Sequence, residues 1–128
     1  MRYLLLIYAA EATEVPPEEA MAESIGEYDK FTKHVRDRGA LEAGEALHPT
    51  TAATTVRVVD GKTLATDGPY AETKEALGGF YLVKAADLDE AIGYAAMIPA
   101  ARNGAVEVRP IFDFGGGAGD EPAALVVD

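Results

Sequence analysis

An α+β sandwich, an antiparallel sheet with helices on one face, is the fold class this chain predicts. Three observations point to it. Tyr3 to Tyr8 is an apolar run of strand length, Met21, Ile25, Tyr28, Phe31 and Val35 recur at helical spacing, and Asp60-Gly61 joins two β-rich runs. In order the elements read strand, helix, strand, hairpin, strand, helix, strand. Two strand–helix–strand units on an antiparallel sheet make a ferredoxin-like arrangement with two helices on one face.

Tyr3-Leu4-Leu5-Leu6-Ile7-Tyr8 is apolar on both alternating faces, so it predicts a central strand covered on both sides. Val15-Pro16-Pro17-Glu18-Glu19 opens the first helix: proline is tolerated where N–H groups lack partners, and glutamate suits the positive end of the helix dipole. The apolar stripe carries that helix to Arg36 and Arg38, and Gly39 stops it. Leu41 to Leu47 is a weaker strand, interrupted by Gly44. Thr54–Val59 and Lys62–Thr66 form a hairpin, because both residues of an Asp-Gly connection accept positive φ. The polar loop Asp67 to Glu75 leads to a strand from Leu77 to Lys84. Asp87 and Glu90 have capping-box spacing for a second helix, whose inward residues are read as Leu88, Ala91, Ile92 and Ala95 and which Pro99 ends. Val106 to Ile111 alternates as a last strand. The domain is read as residues 1–112, with a glycine-rich tail over 113–128 in which Ala123–Val127 is a candidate edge strand or partner contact.

The two helices leave the opposite sheet face with nothing in the chain to cover it. An open apolar sheet face is usually an interface, so a homodimer packed sheet against sheet is expected, burying clefts near the sheet edges.

The composition narrows the function. The 128 residues carry 22 acidic against 11 basic side chains, a net charge of −11, with 48% hydrophobic residues to build a core. That charge disfavours nucleic acid and anionic membrane surfaces as partners. Without cysteine there are no disulfides, thiolate nucleophiles or cysteine-ligated metals. Leu4 to Ile7, the longest aliphatic run, is too short to span a bilayer, and the N-terminus lacks the pattern of a signal peptide. A soluble, cytoplasmic domain is the expectation.

Candidate chemistry concentrates in Thr66 to Glu75 and the following Gly78-Gly79. Asp67 ends a strand, Gly68 removes side-chain obstruction, and Pro69 fixes φ and biases Gly68 towards extended geometry. The turn either presents the Asp67 carboxylate and Tyr70 ring to a ligand, or is a connection in which Asp67 accepts hydrogen bonds from its own turn. Gly78 and Gly79 mark a bulge or the close approach of a ligand or another backbone. His34, near the end of the first helix, reads as a solvated cation beside C-terminal carbonyls, whereas His48 before Pro49 is a candidate general base. The two histidines lack metal-ligand spacing, and no metal or cofactor is expected. Glu107 and Arg109 share one face of the last strand; turned into a cleft, Arg109 would hold a carboxylate or phosphate, and turned outward the two are surface charges. Tyr28 packs in the helix stripe with its hydroxyl at the cleft edge. No Ser-His-Asp set, phosphate loop or dinucleotide fingerprint is present.

The segment Asp67-Gly68-Pro69-Tyr70-Ala71-Glu72-Thr73-Lys74-Glu75, continuing through Ala76-Leu77-Gly78-Gly79-Phe80-Tyr81, closely resembles the signature of the DGPF branch of the YCII-related proteins, with Tyr70 in place of the usual phenylalanine. The opening Tyr3–Tyr8 run, Thr55-Val56-Arg57 with Asp60-Gly61-Lys62, and Glu107-Val108-Arg109-Pro110 also match. The resemblance implies a dimeric α+β barrel. A dechlorinating branch of the wider family carries an acid–base dyad, a histidine on the first helix and an aspartate before a Pro-Tyr pair; Tyr28 and Ile98 occupy those positions here. What resembles a functional site is Asp67, Gly68, Pro69, Tyr70, Glu72, Lys74 and Glu75 with Gly78 and Gly79. The resemblance also implies association with an extracytoplasmic-function sigma factor.

Two functions follow. The first is a homodimer binding a small, polar organic molecule in a cleft lined by the Asp67–Glu75 loop, His48, Tyr28 and Arg109, with Asp67 or His48 as base and Tyr28 or Tyr70 as donor. The alternative is a non-enzymatic module contacting a sigma factor through its acidic surface.

Overall fold

Residues 1–12 and 14–112 are described by the computed structural model of the chain; the glycine-rich tail and the 123–127 segment lie outside the described residues. Strand β1 (Arg2–Ala9) is followed by helix α1 (Glu18–Asp37) and strand β2 (Leu41–Ala46). A short 3₁₀ turn (Thr50–Ala52) leads to β3 (Thr54–Val59) and β4 (Lys62–Asp67), then β5 (Ala76–Lys84), helices α2 (Leu88–Met97) and α3 (Ala100–Asn103), and β6 (Ala105–Pro110). The main sheet runs β2-β5-β1-β6, all antiparallel, while β3 and β4 form a separate two-stranded ribbon. This is the ferredoxin-like order, with the ribbon inserted between β2 and β5.

Alternation along β1 sends Tyr3, Leu5 and Ile7 under the helices, where they meet Phe31 and Val35 of α1 and Ala91, Tyr94 and Ile98 of the second helical segment. Leu4 pairs with Leu82 and Arg109, and Leu6 with Phe80 and Glu107, so these residues share the reverse face of the sheet. Leu4, Leu6, Phe80 and Leu82 are half-buried. The helices bury the β1 side chains of one face, so among the described residues the central strand is covered on a single side, not on both as its apolar run predicts.

Local signals set the ends of the elements. Asp60 (φ 50°) and Gly61 (φ 76°) make the two-residue turn of the ribbon, both in the left-handed region that this turn requires. Asp87 Oδ1 accepts from the Glu90 N–H at 2.9 Å, and Glu90 Oε1 reaches back to the Ala86 N–H at 3.0 Å, one residue before the position a strict capping box uses.

Two expectations about helix faces need correction. On α2 the buried residues are Ala91, Tyr94 and Ala95, whereas Leu88 and Ile92 are each 48% exposed. The inward stripe runs Ala91, Tyr94, Ala95, Ile98, and Ile92 lies about 100° around the helix from Ala91. On α1, Phe31 and Val35 are buried and Tyr28 packs against the core, but Met21 and Ile25 are exposed because the first turns pass beyond the buried core. Pro99, expected only to end α2, also begins α3. Among the described residues no helix is long and apolar enough to cross a membrane.

Candidate functional site

A cavity of 660 Å³ opens between α1 and the β2–β5 edge of the sheet. The helix contributes Tyr28, Thr32 and Arg36, spaced four residues apart and therefore one above another along one flank. The sheet contributes Ile7, Leu41, Gly44, Ala46, Gly79 and Tyr81, and Ala9 and Ala100 close one end. Gly44 pairs with Tyr81 across the strands, and a Cβ on Gly44 would stand 2.6 Å from the Tyr81 ring. A Cβ on Gly79 would meet the Glu45 carbonyl oxygen at 2.8 Å. The two glycines therefore let β2 and the Tyr81 ring sit close together, which holds the floor of the cleft flat and apolar.

Polar groups enter from the helix and from Tyr81. The Thr32 and Tyr81 hydroxyls lie 3.4 Å apart, and the Tyr81 ring stands edge-on to Phe31 with centroids 4.8 Å apart. Burial pushes the Tyr28 hydroxyl above the ordinary tyrosine range, and the neighbouring Tyr81 adds to the shift. A main-chain hydrogen bond from Ala100 and the charge of Arg102 act in the opposite direction. Tyr28 is therefore a neutral hydrogen-bond donor at neutral pH. Because its pKa is raised in the folded chain, its contribution to stability is complete below the unfolded value of 10.0 and is lost as pH rises through the folded one. Alkaline titration of phenolate absorbance should show one tyrosine ionising late, and Tyr28→Phe should remove that late step.

The residues singled out from sequence fall in several places. Tyr28, Gly78 and Gly79 line this cleft. Asp67, Gly68, Pro69 and Tyr70 line a separate hollow of 220 Å³ on the ribbon, with Thr55, Arg57 and Leu64. Gly68 turns at φ 111°, its N–H donates to the Ala53 carbonyl at 2.8 Å, and its own carbonyl accepts from Thr55 Oγ1 at 2.8 Å. The Arg57 guanidinium lies 5.2 Å from the centroid of the Tyr70 ring. No hydrogen bond or ion pair engages the Asp67 carboxylate among the described residues, so main-chain groups and Thr55 hold the corner in its place.

Lys74 and Glu75 border a third hollow of 590 Å³ with Ala10, Thr73 and Asn103, and Glu72 is exposed on the same loop. His48 is exposed in the connection after β2. Arg109 lies on the reverse face of the sheet, where its Nε donates to Glu107 Oε2 at 2.9 Å. The protomer thus holds Tyr28 and the glycine pair together, and sets Asp67, His48 and Arg109 elsewhere. Among the described residues no group of three or more His, Asp or Glu side chains is placed to hold a metal ion.

Thr32, Arg36, Gly44 and Tyr81 were not read from the sequence as cleft residues. The signal for the first two was the four-residue spacing from Tyr28, a second stripe beside the apolar one. No local signal marks Gly44 and Tyr81, which come together only through strand pairing.

Together these features define an α+β domain of ferredoxin-like topology with an apolar cleft between its first helix and one sheet edge. The chain belongs to the YCII-related family: the YCII-related domain matches residues 1–115. It is 39% identical over 114 residues to an uncharacterized protein of Rhizobium meliloti (strain 1021), covering 87% of this chain and 92% of that protein. Tyr28 lines the cleft, and Ile98 is fully buried in the core.

Proposed function

We propose that this chain binds a small organic molecule in the cleft between α1 and the β2–β5 edge, and that two copies pair through the reverse face of the sheet. The cleft itself carries the reading. Its volume of 660 Å³ lies within the range of about 300–1,000 Å³ typical of small-molecule sites, and its largely apolar walls carry a few polar groups on one side. Tyr28 serves there as a hydrogen-bond donor. Proton transfer by Asp67 or His48 would require a second copy to deliver those residues to the cleft, so binding is the primary activity. Leu4, Leu6, Phe80 and Leu82, an apolar patch across the two central strands that a second identical patch would complement, support the dimer. The Asp67-Gly68-Pro69-Tyr70 corner supports placement in the DGPF branch.

Gly78→Leu tests the site. Gly78 lines the cleft, and a Cβ there meets nothing within 4 Å, so a larger side chain enters open space without displacing backbone. In a thermal-shift screen of organic metabolites, at least one compound should raise the melting temperature of the wild-type chain by mass action. The same compound should lose its effect on Gly78→Leu, whose own melting temperature stays within a few degrees. A panel that moves neither protein, or moves both equally, would count against the cleft.

A further inference from the structure

We infer that the ligand of this cleft is an elongated organic carboxylate, its anionic head held by Arg36 and its apolar body lying over Gly44 and Tyr81. This rests on the reading of the cleft as a binding site and adds the class of molecule that fills it.

The argument begins with charge. The chain carries twice as many acidic as basic side chains, so an arginine finds a carboxylate easily. Of its six arginines, Arg2 pairs with Glu42, Arg38 with Glu90, Arg102 with Glu27 and Arg109 with Glu107, while Arg57 lies against the Tyr70 ring. Arg36 alone has neither a carboxylate within ion-pair distance nor an aromatic face, among the described residues. The acid next to it in sequence, Asp37, is bonded to Lys33 at 2.9 Å. Arg36 is also the one cationic residue lining the cleft. Its place in the last turn of α1 suits the helix dipole, as it does for His34, but the dipole does not satisfy a guanidinium fork that matches a carboxylate bidentately.

Geometry sets the rest of the molecule. Glu45, the acidic residue of the lining, pairs with Phe80 and so shares the reverse face, while its neighbours Gly44 and Ala46 face α1. Among the described residues, the side-chain charge presented to the cleft is therefore the positive one of Arg36. Tyr28, Thr32 and Arg36 climb the helix in two steps of four residues, which at about 1.5 Å per residue separates the first from the last by about 12 Å. Between these ends the floor is hydrocarbon, ring face and glycine backbone. A molecule that fills this space has one charged end, a long apolar body, and a far end within reach of the Tyr28 hydroxyl.

Calorimetric titration of the full chain with decanoate and with decan-1-ol tests the inference. Decanoate should bind at least tenfold more tightly than the alcohol. Arg36→Gln should bring decanoate to the affinity of the alcohol while leaving the alcohol unchanged, and Arg36→Lys, which keeps the charge but not the fork, should retain only part of the preference. Equal binding of acid and alcohol, unchanged decanoate affinity in Arg36→Gln, or no decanoate binding would each overturn the carboxylate assignment. If the alcohol still binds and Gly78→Leu blocks it, the cleft stands and the anion fails. If neither probe binds and the metabolite panel is silent, both readings fall together.

Discussion

Leu6→Glu is expected to leave the chain monomeric. Leu6 sits on the central strand β1, beside Phe80 on one side and Glu107 on the other, in the middle of the face proposed to meet a second copy. In a two-fold pairing each substitution enters the interface twice, so a new carboxylate is desolvated in both copies and stands near its own image. At about 2 kcal/mol or more for each uncompensated charge, the dimer should weaken by about 700-fold or more. Leu6 is half-buried, and its backbone pairing does not depend on its side chain, so the variant should keep its far-ultraviolet circular dichroism. Sedimentation equilibrium decides the matter. A wild-type chain that sediments as a single protomer, or a Leu6→Glu chain as dimeric as the wild type, would remove the interface from this face.

Phe31→Ala should have the largest effect on stability. The ring is 1% exposed and stacks edge-on against Tyr81 between α1 and the sheet. Truncation leaves a ring-sized void in a close-packed core, a change that costs about 3–5 kcal/mol. For a domain of this size the melting temperature should fall by about 10–20 °C. The same deletion removes the support of Tyr81, so ligand affinity should fall alongside stability, whereas Gly78→Leu lowers affinity alone. Denaturant titration checks the first effect, and a loss below about 1 kcal/mol would mean that the core is not organised around Phe31.

Legibility in the sequence followed the range of the interactions. The hairpin was readable because Asp60-Gly61 acts over two residues, and the second helix because Asp87 caps it locally. The apolar stripe of α1 includes the buried Phe31 and Val35, but periodicity carries no information about where the core beneath a helix ends, so the same stripe takes in the exposed Met21 and Ile25. On α2 the small residues Ala91 and Ala95 and the polar-tipped Tyr94 occupy the contact face, where hydropathy alone favours Leu88 and Ile92. The candidate site was legible only in part. Tyr28, Gly78 and Gly79 lie where the cleft is, but the densest polar segment, Asp67 to Glu75, is distributed over the ribbon and its following loop. Strand order decides that separation, and strand order is set by residues far apart in the chain.

The inserted ribbon offers a site for display. Among the described residues its two strands pair only with each other, and neither joins the four-stranded sheet. Lengthening the arm at its Asp60-Gly61 tip therefore leaves the hydrophobic interior untouched, so a foreign peptide spliced in there should be displayed without unfolding the domain.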